Sequence, residues 1–510
     1  MSRADTTPAA AEPSPLARLD ATPELARQTI VYAVSGAIAP AVGIITLPIL
    51  ARVFSQGEYG LLELAIVLTT ASLTVADLSL IAAAQRSFFD YSDEELDARR
   101  RVLATALLVS TGLTLVAALA LAFFREPVSD LLFGTSEGRL VALVAATLVP
   151  LNTFRFATEA MRVRFQARHY LVTTAIATLL GTGLVILFVA VLGYGVESLF
   201  VGSLIANGLA AAYGLVIVRD ALWGGFSRRD LGIMLRYGLP LVPTTLLLWA
   251  LALVDRVILS RLADLDAVGQ YAMALRLAGI LLLAVNAFHL ALGPFLFSLY
   301  SSDPDTEKAA RGRTFTYMAF VLGLAALLLT LFAREVLAVL APAFPDAYAA
   351  VGPLVFGTVG YALSSLLLTG ISLARRTVLI PFFSAFAAAV NIGLNIALIP
   401  PFGFVGAAFG TGAGYLVLAG LSYWIGQRVY RTPYEPRRAL VILGAAAALG
   451  VCGVLPLEPL PLALAVKTAA VGLFVAVVWG SRAMTRSEFV ELGRFLRGMV
   501  AARRASSVPA

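Results

Sequence analysis

The sequence predicts an all-α, polytopic membrane protein of about fourteen transmembrane helices: two pseudo-symmetric six-helix bundles followed by two extra helices. Three observations predict it. Hydrophobic residues are 59% of the chain and charged residues only 14%, against about 25% charged in an ordinary soluble domain; mean hydropathy is +0.87. The apolar residues fall into fourteen continuous segments, each long enough to cross a hydrocarbon core about 30 Å thick as a helix. The basic residues gather on alternate connecting segments, as orientation signals do. Helices are preferred to strands because the runs are continuous, and because a helix satisfies its own backbone in lipid.

In chain order, residues 1–28 are rich in Pro, Ala and Thr and read as a disordered cytosolic tail, not a signal peptide. Apolar segments follow at 30–53, 61–84, 102–124, 140–161, 170–192, 197–218, 239–260, 271–298, 314–333, 351–374, 377–399, 405–427, 439–456 and 461–481. Pro40, Pro48, Pro150, Pro240, Pro243, Pro294, Pro353 and Pro381 lie within them and predict kinks or hinges. The longest loops, near 85–101, 125–139 and 219–238, are too short to fold as catalytic domains. The reading is therefore not an enzyme, with function lodged among the helices. In the final stretch, Phe489, Leu492, Phe495, Leu496, Met499 and Val500 share a helical face flanked by Arg494, Arg497, Arg503 and Arg504. That pattern predicts an interfacial helix on the inner leaflet, with a partner-binding helix as the alternative.

With the amino terminus in the cytosol, 29 basic residues fall inside, 5 outside and 4 within the membrane. Both termini are then cytosolic. The net charge of +7 does not point to nucleic acid, since it lies between spans. One cysteine (Cys452) and two histidines (His169, His289) argue against a disulfide framework and against a zinc or iron site. No cofactor or metal is expected.

An internal repeat divides the chain. Leu50-Ala51-Arg52 and Gly57-Glu58-Tyr59-Gly60-Leu61 return as Leu259-Ser260-Arg261 and Gly269-Gln270-Tyr271-Ala272-Met273, an offset of 212 between Gly57 and Gly269. Gly195-Val196-Glu197-Ser198-Leu199-Phe200-Val201-Gly202 returns as Gly403-Phe404-Val405-Gly406-Ala407-Ala408-Phe409-Gly410, an offset of 208. Helix packing through small residues accounts for the glycines, but not for two matches at nearly one offset. The expected units are bundles at 29–222 and 223–430, an added hairpin at 431–484 and a tail at 485–510. A six-helix unit keeps its orientation on repetition, so the halves are related by an axis along the membrane normal. Parallel repeats of this kind are a transporter architecture, with the substrate path between the halves.

Three stretches carry a family resemblance: Leu47-Pro48-Ile49-Leu50-Ala51-Arg52-Val53-Phe54 running into Gly57-Glu58-Tyr59-Gly60; Tyr237-Gly238-Leu239-Pro240 leading to Asp255-Arg256-Val257-Ile258-Leu259 and Gly269-Gln270-Tyr271; and Asn391-Ile392-Gly393-Leu394-Asn395 through Ile399-Pro400 to Phe402-Gly403-Phe404-Val405-Gly406. Over roughly residues 28–485 the chain resembles the polysaccharide (O-antigen and exopolysaccharide repeat-unit) flippases of the multidrug/oligosaccharidyl-lipid/polysaccharide exporter superfamily. The resemblance implies a monomeric protein of the bacterial inner membrane. It implies a flippase that carries undecaprenyl-pyrophosphate-linked oligosaccharide to the outer leaflet, with the lipid tail left in the phospholipid bilayer. The polysaccharide polymerase machinery is a conceivable partner. Ala272 departs from the small or polar residue of many relatives.

A pyrophosphate calls for fixed cations, preferably arginines, shielded from lipid. Arg256 and Arg276 lie within the seventh and eighth spans, Arg52 ends the first and Arg155 lies in the fourth. Arg86, with Phe88 and Tyr91, stands at the inner mouth of the second, where a headgroup would arrive first or a plain positive-inside anchor would sit. Each has an alternative use: Asp255 as a partner for Arg256 or Arg276, and Glu159 as a partner for Arg155 one turn away. Arg52 and Lys467 can snorkel to the outer surface. Asp77, placed about eight residues inside the second span, is a coupling-ion or charge-pairing candidate, as is Asp255; Glu63 reads as solvated. Asn391 and Asn395 share a helix face and meet either another helix or sugar hydroxyls. The runner-up functions are a cation-coupled multidrug exporter and a peptidoglycan-precursor lipid flippase. A glycosyltransferase or ligase would need a sizeable external loop.

Overall fold

The computed structural model describes residues 23–485 except 93, 375 and 457, together with 488. Most of the amino-terminal tail, the expected interfacial helix at 489–500 and the side chain of His289 lie outside the described residues. The described chain is helical throughout its ordered elements. Helix α1 (Pro23–Val53) hands over to α2 (Gln56–Asp77) at Ser55. The Ser55 hydroxyl accepts the Glu58 N–H and the Glu58 carboxylate accepts the Ser55 N–H at 2.9 Å, so two otherwise orphaned donors are satisfied at the turn. Helices α3 (Leu80–Phe89), α4 (Leu96–Phe123), α5 (Arg125–Leu132) and α6 (Gly138–Val163) follow. The fifth span is α7 (Ala167–Ala175) and α8 (Gly181–Val185), with π-helical turns at Ile176–Leu180 and Ile186–Val191. Helix α9 (Glu197–Ile217) closes the first half.

The link to the second half carries α10 (Arg219–Leu222) and α11 (Arg228–Gly238). A single 3-10 turn at Leu239–Leu241, holding Pro240, bends α11 into α12 (Val242–Leu262). Then come α13 (Leu265–Ser302), α14 (Pro304–Leu340), α15 (Tyr348–Leu373), α16 (Ile380–Val429), α17 (Pro436–Gly450) and α18 (Leu460–Gly480).

Twelve helices among the described residues are long and apolar enough to cross a membrane, against the fourteen segments expected. Two features account for the difference. The segments at 377–399 and 405–427 are two helical arms of α16, counted once although the chain reverses between them at Gly403 (φ 56°), after Pro400 and Pro401. The described apolar part of the first helix, Ala41–Val53, is shorter than a span and is not one of the twelve.

Three placements differ from expectation. The second span does not run to residue 84. It ends at Asp77 because Leu78 and Ser79 both adopt left-handed backbone (φ 46° and 57°), and α3 restarts with the Ile81 N–H directed at the Asp77 carboxylate, 3.4 Å away. Asp77 is therefore at the end of a 22-residue helix, itself about 33 Å long, not deep within a span. Arg311, expected in an inside loop, is fully buried on α14, which begins at Pro304 under an Asp303 cap. It pairs with Glu307 one turn back, and Glu307 also accepts the Tyr430 hydroxyl at 3.0 Å. Lys467 does not snorkel. It is 2% exposed and bonds Glu335 of α14 at 2.5 Å, which fastens the added hairpin to the second half.

The core is unevenly shared. At the end formed by the α1–α2 and α12–α13 turns (the turn end), Leu50, Tyr59 and Leu62 of the first half join Tyr271, Phe344 and Val351 of the second in one cluster. At the opposite end, where α3, α10 and α11 lie (the link end), the described residues form two clusters. Phe88, Leu103, Phe156 and Met161 pack with Met234 of α11, while Leu251, Ile371, Phe383 and Leu418 pack within the second half.

Candidate functional site

The two copies of the repeated motif pack against each other at the turn end. A Cβ on Gly60 would stand 2.0 Å from the Leu265 carbonyl oxygen, and one on Gly269 would stand 2.0 Å from that of Gln56. Only glycine allows backbones this near. The flanking arginines repeat the symmetry. Arg52 donates to the Val339 carbonyl at 3.0 Å and Arg261 to the Asp130 carbonyl at 2.8 Å. Each bond crosses between halves, and each pair (52 with 261, 130 with 339) is 209 positions apart. Gln56 adds a bond to the Ala343 carbonyl at 2.8 Å, and Tyr59 meets Phe344 edge to face.

One turn beyond Tyr59 along α2, about 6 Å farther in, the symmetry ends and a charge cluster begins. Glu63 of α2 binds Arg276 of α13 at 2.6 Å and lies 3.5 Å from Arg256 of α12. Arg256 also pairs with its neighbour Asp255 at 3.2 Å. Asp255 accepts the Tyr271 hydroxyl, and that of Thr411 at 2.9 Å. Thr411 in turn accepts Asn391 Nδ2 at 3.2 Å, and Asn391 accepts Asn395 Nδ2 at 3.2 Å. Two carboxylates thus balance two guanidiniums, with one carboxylate from the first half and the remaining groups from the second. Glu63, Asp255 and Arg256 are buried. Charges removed from water in this way persist only when paired and hydrogen-bonded.

Beside this cluster, chiefly within the first half, is a cavity of about 330 Å³. Its polar lining is Thr46 of α1, Thr178 and Thr182 of the fifth span, and Ser203 and Asn207 of α9. Arg276, whose side chain is 37% exposed, is the second half's contribution to the wall. Asn207 Nδ2 donates to the Ser203 carbonyl at 2.8 Å and to its hydroxyl at 2.9 Å, one turn back on α9. Hydroxyls, one amide and one guanidinium suit a ligand rich in hydroxyls that carries a negative group.

The expected site residues divide accordingly. Arg256, Arg276 and Asp255 come together, although the partner of Arg276 is Glu63 and not Asp255. Asn391 and Asn395 are fully buried. They face Gly414 and Gly410 on the return arm of α16; the Asn391 amide bonds across to Thr411, and the Asn395 amide bonds back to Asn391 one turn away. Arg52 belongs to the turn-end closure. Arg86 lies at the link end with its guanidinium 4.8 Å above the Tyr237 ring. Arg155 is exposed and makes no ion pair among the described residues. Its expected partner Glu159 instead binds Arg162 at 2.9 Å and accepts Gln85 at 2.6 Å. Arg155 acts electrostatically on Asp77.

Glu63 is the correction that matters most: read as solvated, it is the hub of the cluster. It lies one turn beyond Tyr59 on the same face of α2, and Arg276 also sits 5.5 Å over that Tyr59 ring. Thr178 with Thr182, and Ser203 with Asn207, were equally visible as four-residue spacings of the kind noticed at Asn391 and Asn395.

The fold has known counterparts. The lipid II flippase MurJ in an inward closed conformation superposes with a TM-score of 0.65 at 14% identity, covering 89% of this chain and 99% of that one. An inward-facing multidrug resistance MATE family transporter of the MOP superfamily gives 0.58 at 16% identity, over 76% and 97%. A mutant of the Vibrio cholerae MATE transporter VcmN gives 0.51 at 16%, over 79% and 98%. No curated protein matches the sequence. The family model described as polysaccharide biosynthesis protein matches residues 25–300, more than half of the chain. This multi-pass membrane protein belongs to the polysaccharide biosynthesis protein family, and it has the fold of the flippases and exporters of the MOP superfamily.

Proposed function

We propose that this protein is a flippase. It moves undecaprenyl-pyrophosphate-linked oligosaccharide repeat units from the inner to the outer leaflet of the bacterial inner membrane, by alternating access, for polysaccharide assembly. Both termini are cytosolic in this reading, so the turn end faces out and the link end faces the cytosol.

The observation that carries the proposal is the position of Arg276. It lines a hydroxyl-rich cavity and at the same time bonds Glu63 across the interface between halves. A pyrophosphate entering the cavity competes with Glu63 for that guanidinium. Taking Arg276 from Glu63 weakens the bridge that helps close the turn end, so substrate binding and outward opening are coupled. The same guanidinium would repel a cationic drug, which favours the lipid-linked sugar over a cation-coupled exporter of the same fold.

The test uses a host lacking this gene but retaining its glycosyltransferases. Lipid-linked oligosaccharide is quantified, together with its accessibility to an impermeant glycan probe on spheroplasts. The expected result is an inaccessible intermediate that accumulates. It is cleared by the wild type but not by Arg276→Gln, or by Ser203→Leu combined with Asn207→Leu. Normal outer-face levels in the deletion would refute the proposal. Accumulation of the peptidoglycan precursor instead would reassign the substrate.

A further inference from the structure

Buried polar groups in a folded chain are almost always hydrogen-bonded, so those that are not call for a reason. Two such donors flank Glu63. Arg256 Nε is buried and makes no hydrogen bond among the described residues. It lies 3.5 Å from Glu63 Oε2, longer than a formed N–H···O bond. The Tyr59 hydroxyl is likewise buried and without a partner among the described residues, on a side chain that is fully enclosed. Tyr59 and Glu63 are four residues apart on α2 and share a face. Glu63 itself is held elsewhere, because its other oxygen accepts Arg276 at 2.6 Å.

The second half shows what such a tyrosine can do. Tyr271 stands two residues after Gly269, as Tyr59 stands two after Gly57. Its hydroxyl donates to the buried Asp255 carboxylate, which Arg256 also holds. One tyrosine of the repeat is therefore bonded to a buried carboxylate, and its counterpart is idle. Over the Tyr59 ring lies the Arg276 guanidinium, 5.5 Å from the ring centre. Arg276 is also the member of the charge cluster that lines the cavity.

We infer that Arg256 and Tyr59 are positioning residues that receive Glu63 when Arg276 turns to the ligand. With the cavity empty, Glu63 is held by Arg276. When a phosphate takes Arg276, the Glu63 carboxylate closes onto Arg256 Nε and the Tyr59 hydroxyl, and both idle donors are satisfied. A buried carboxylate stripped of its partner would otherwise oppose ligand binding, and the exchange removes that opposition. It also moves the tie between the halves from α2–α13 to α2–α12, so α13 is released while α2 keeps its hold on the second half. A cluster with two such arrangements is the bistable element that coupling requires. Phosphate as the trigger rests on the flippase reading; the exchange itself does not.

The test is a double-mutant cycle on the full-length protein in phosphatidylcholine nanodiscs, without ligand, read as Tm. Arg276→Gln imitates withdrawal of the guanidinium, and Tyr59→Phe deletes only the idle hydroxyl. With Arg276 present, Tyr59→Phe should leave Tm unchanged or raise it, because an unsatisfied buried group is removed. In the Arg276→Gln background it should lower Tm by about 2 °C or more, because the hydroxyl is then bonded to Glu63. Equal shifts in the two backgrounds would overturn the inference. Should Arg276→Gln not fold, calorimetric titration with farnesyl pyrophosphate decides. Tyr59→Phe should weaken binding about tenfold without lowering the Tm of the empty protein, and unchanged affinity would overturn the inference. With Glu63→Gln also present, Tyr59→Phe should lose most of that effect; an undiminished effect would make Tyr59 a ligand contact and overturn its role through Glu63. A coupled Tm cycle in a wild type that binds no farnesyl pyrophosphate would uphold the exchange and refute the phosphate ligand, so the two fail separately.

Discussion

At the turn end, Gly60 and Gly269 bring two backbones into contact, Arg52 and Arg261 each cap a carbonyl of the opposite half, and one apolar core runs through both halves. At the link end, the first half holds α11 through Tyr91–Asp230, Arg86–Tyr237 and the approach of Gly238 to Leu78, while the second half keeps a core of its own. The turn end is thus a joint between equivalent motifs. Toward the link end, among the described residues, the two halves hold separate apolar clusters and meet through the α11 strap and through Trp249 of α12, which donates to Thr70 of α2 at 3.4 Å. An interface between repeats that is tight at one end and divided at the other is what a rocking pair of bundles requires, and the closure is built from backbone proximity with charges behind it.

The sharpest way to break that contrast is Gly269→Leu. Its side chain would need space occupied by the Gln56 carbonyl, and backbone yields little, so a cost of about 3 kcal/mol or more is expected unless the halves separate. In a Cys452→Ser background, cysteines at Gly57 and Asp266, where a Cβ on Gly57 would stand 2.9 Å from the Asp266 carboxylate, should cross-link in the parent and fail to in the variant. Retained cross-linking would mean that the closure does not depend on this approach.

Glu63→Gln comes next. It leaves Arg256 and Arg276 facing each other. The expected loss is about 3 kcal/mol, the lower part of the range for a broken buried pair because Arg276 is partly exposed. At the link end, Glu159→Gln removes the partner of a half-exposed Arg162 and should cost at most about 1 kcal/mol. Thermal unfolding of both variants in one detergent measures the difference, and equal losses would contradict the picture of a central hub.

A smaller effect tests the symmetry. Arg52→Ala and Arg261→Ala each remove one arginine–carbonyl bond and should destabilise alike, by about 1 kcal/mol. Unequal effects would show that the two copies carry different loads.

The smallest is a pH effect at the link end. Partial burial opposes the ionised form of Asp220, but Arg164, bonded to both its oxygens at 2.8 and 2.6 Å, outweighs it and depresses the carboxyl in the fold. Its contribution is present above the ordinary carboxylate range and is lost as pH falls through its lowered value. The wild type and Asp220→Asn should therefore differ by a constant amount near neutrality and converge only in strong acid, as followed by Tm against pH. Convergence already near pH 6 would rule out the depressed carboxyl.

Much of this was legible in the sequence. Apolar run length gave the helices because hydrocarbon requires about 20 apolar residues and a self-satisfied backbone. The motif at Gly57–Gly60 and its match at Gly269 were legible as one pattern at an offset of 212, and these two stretches pack against each other. Asp255 and Arg256 stood out because charge inside an apolar run is conspicuous.

Glu63 was misplaced because distance from a span end was taken as depth. What buries Glu63 is α13, which approaches α2 only because Gly60 and Gly269 let the two backbones touch. The break after Asp77 was equally hidden, since Leu78 and Ser79, which adopt left-handed backbone, carry no glycine signal. Lys467 was assigned to the surface because a long side chain can snorkel, and its partner Glu335 comes from another helix that only the fold brings near; Arg311 was assigned to an inside loop, although its partner Glu307 stands four residues away on the same helix. Composition and periodicity are properties of the chain and act locally, so they determined the all-helical, multi-pass membrane class. Which charge meets which, and which end is closed, depended on distances between helices far apart in sequence, and only the tertiary structure decided those.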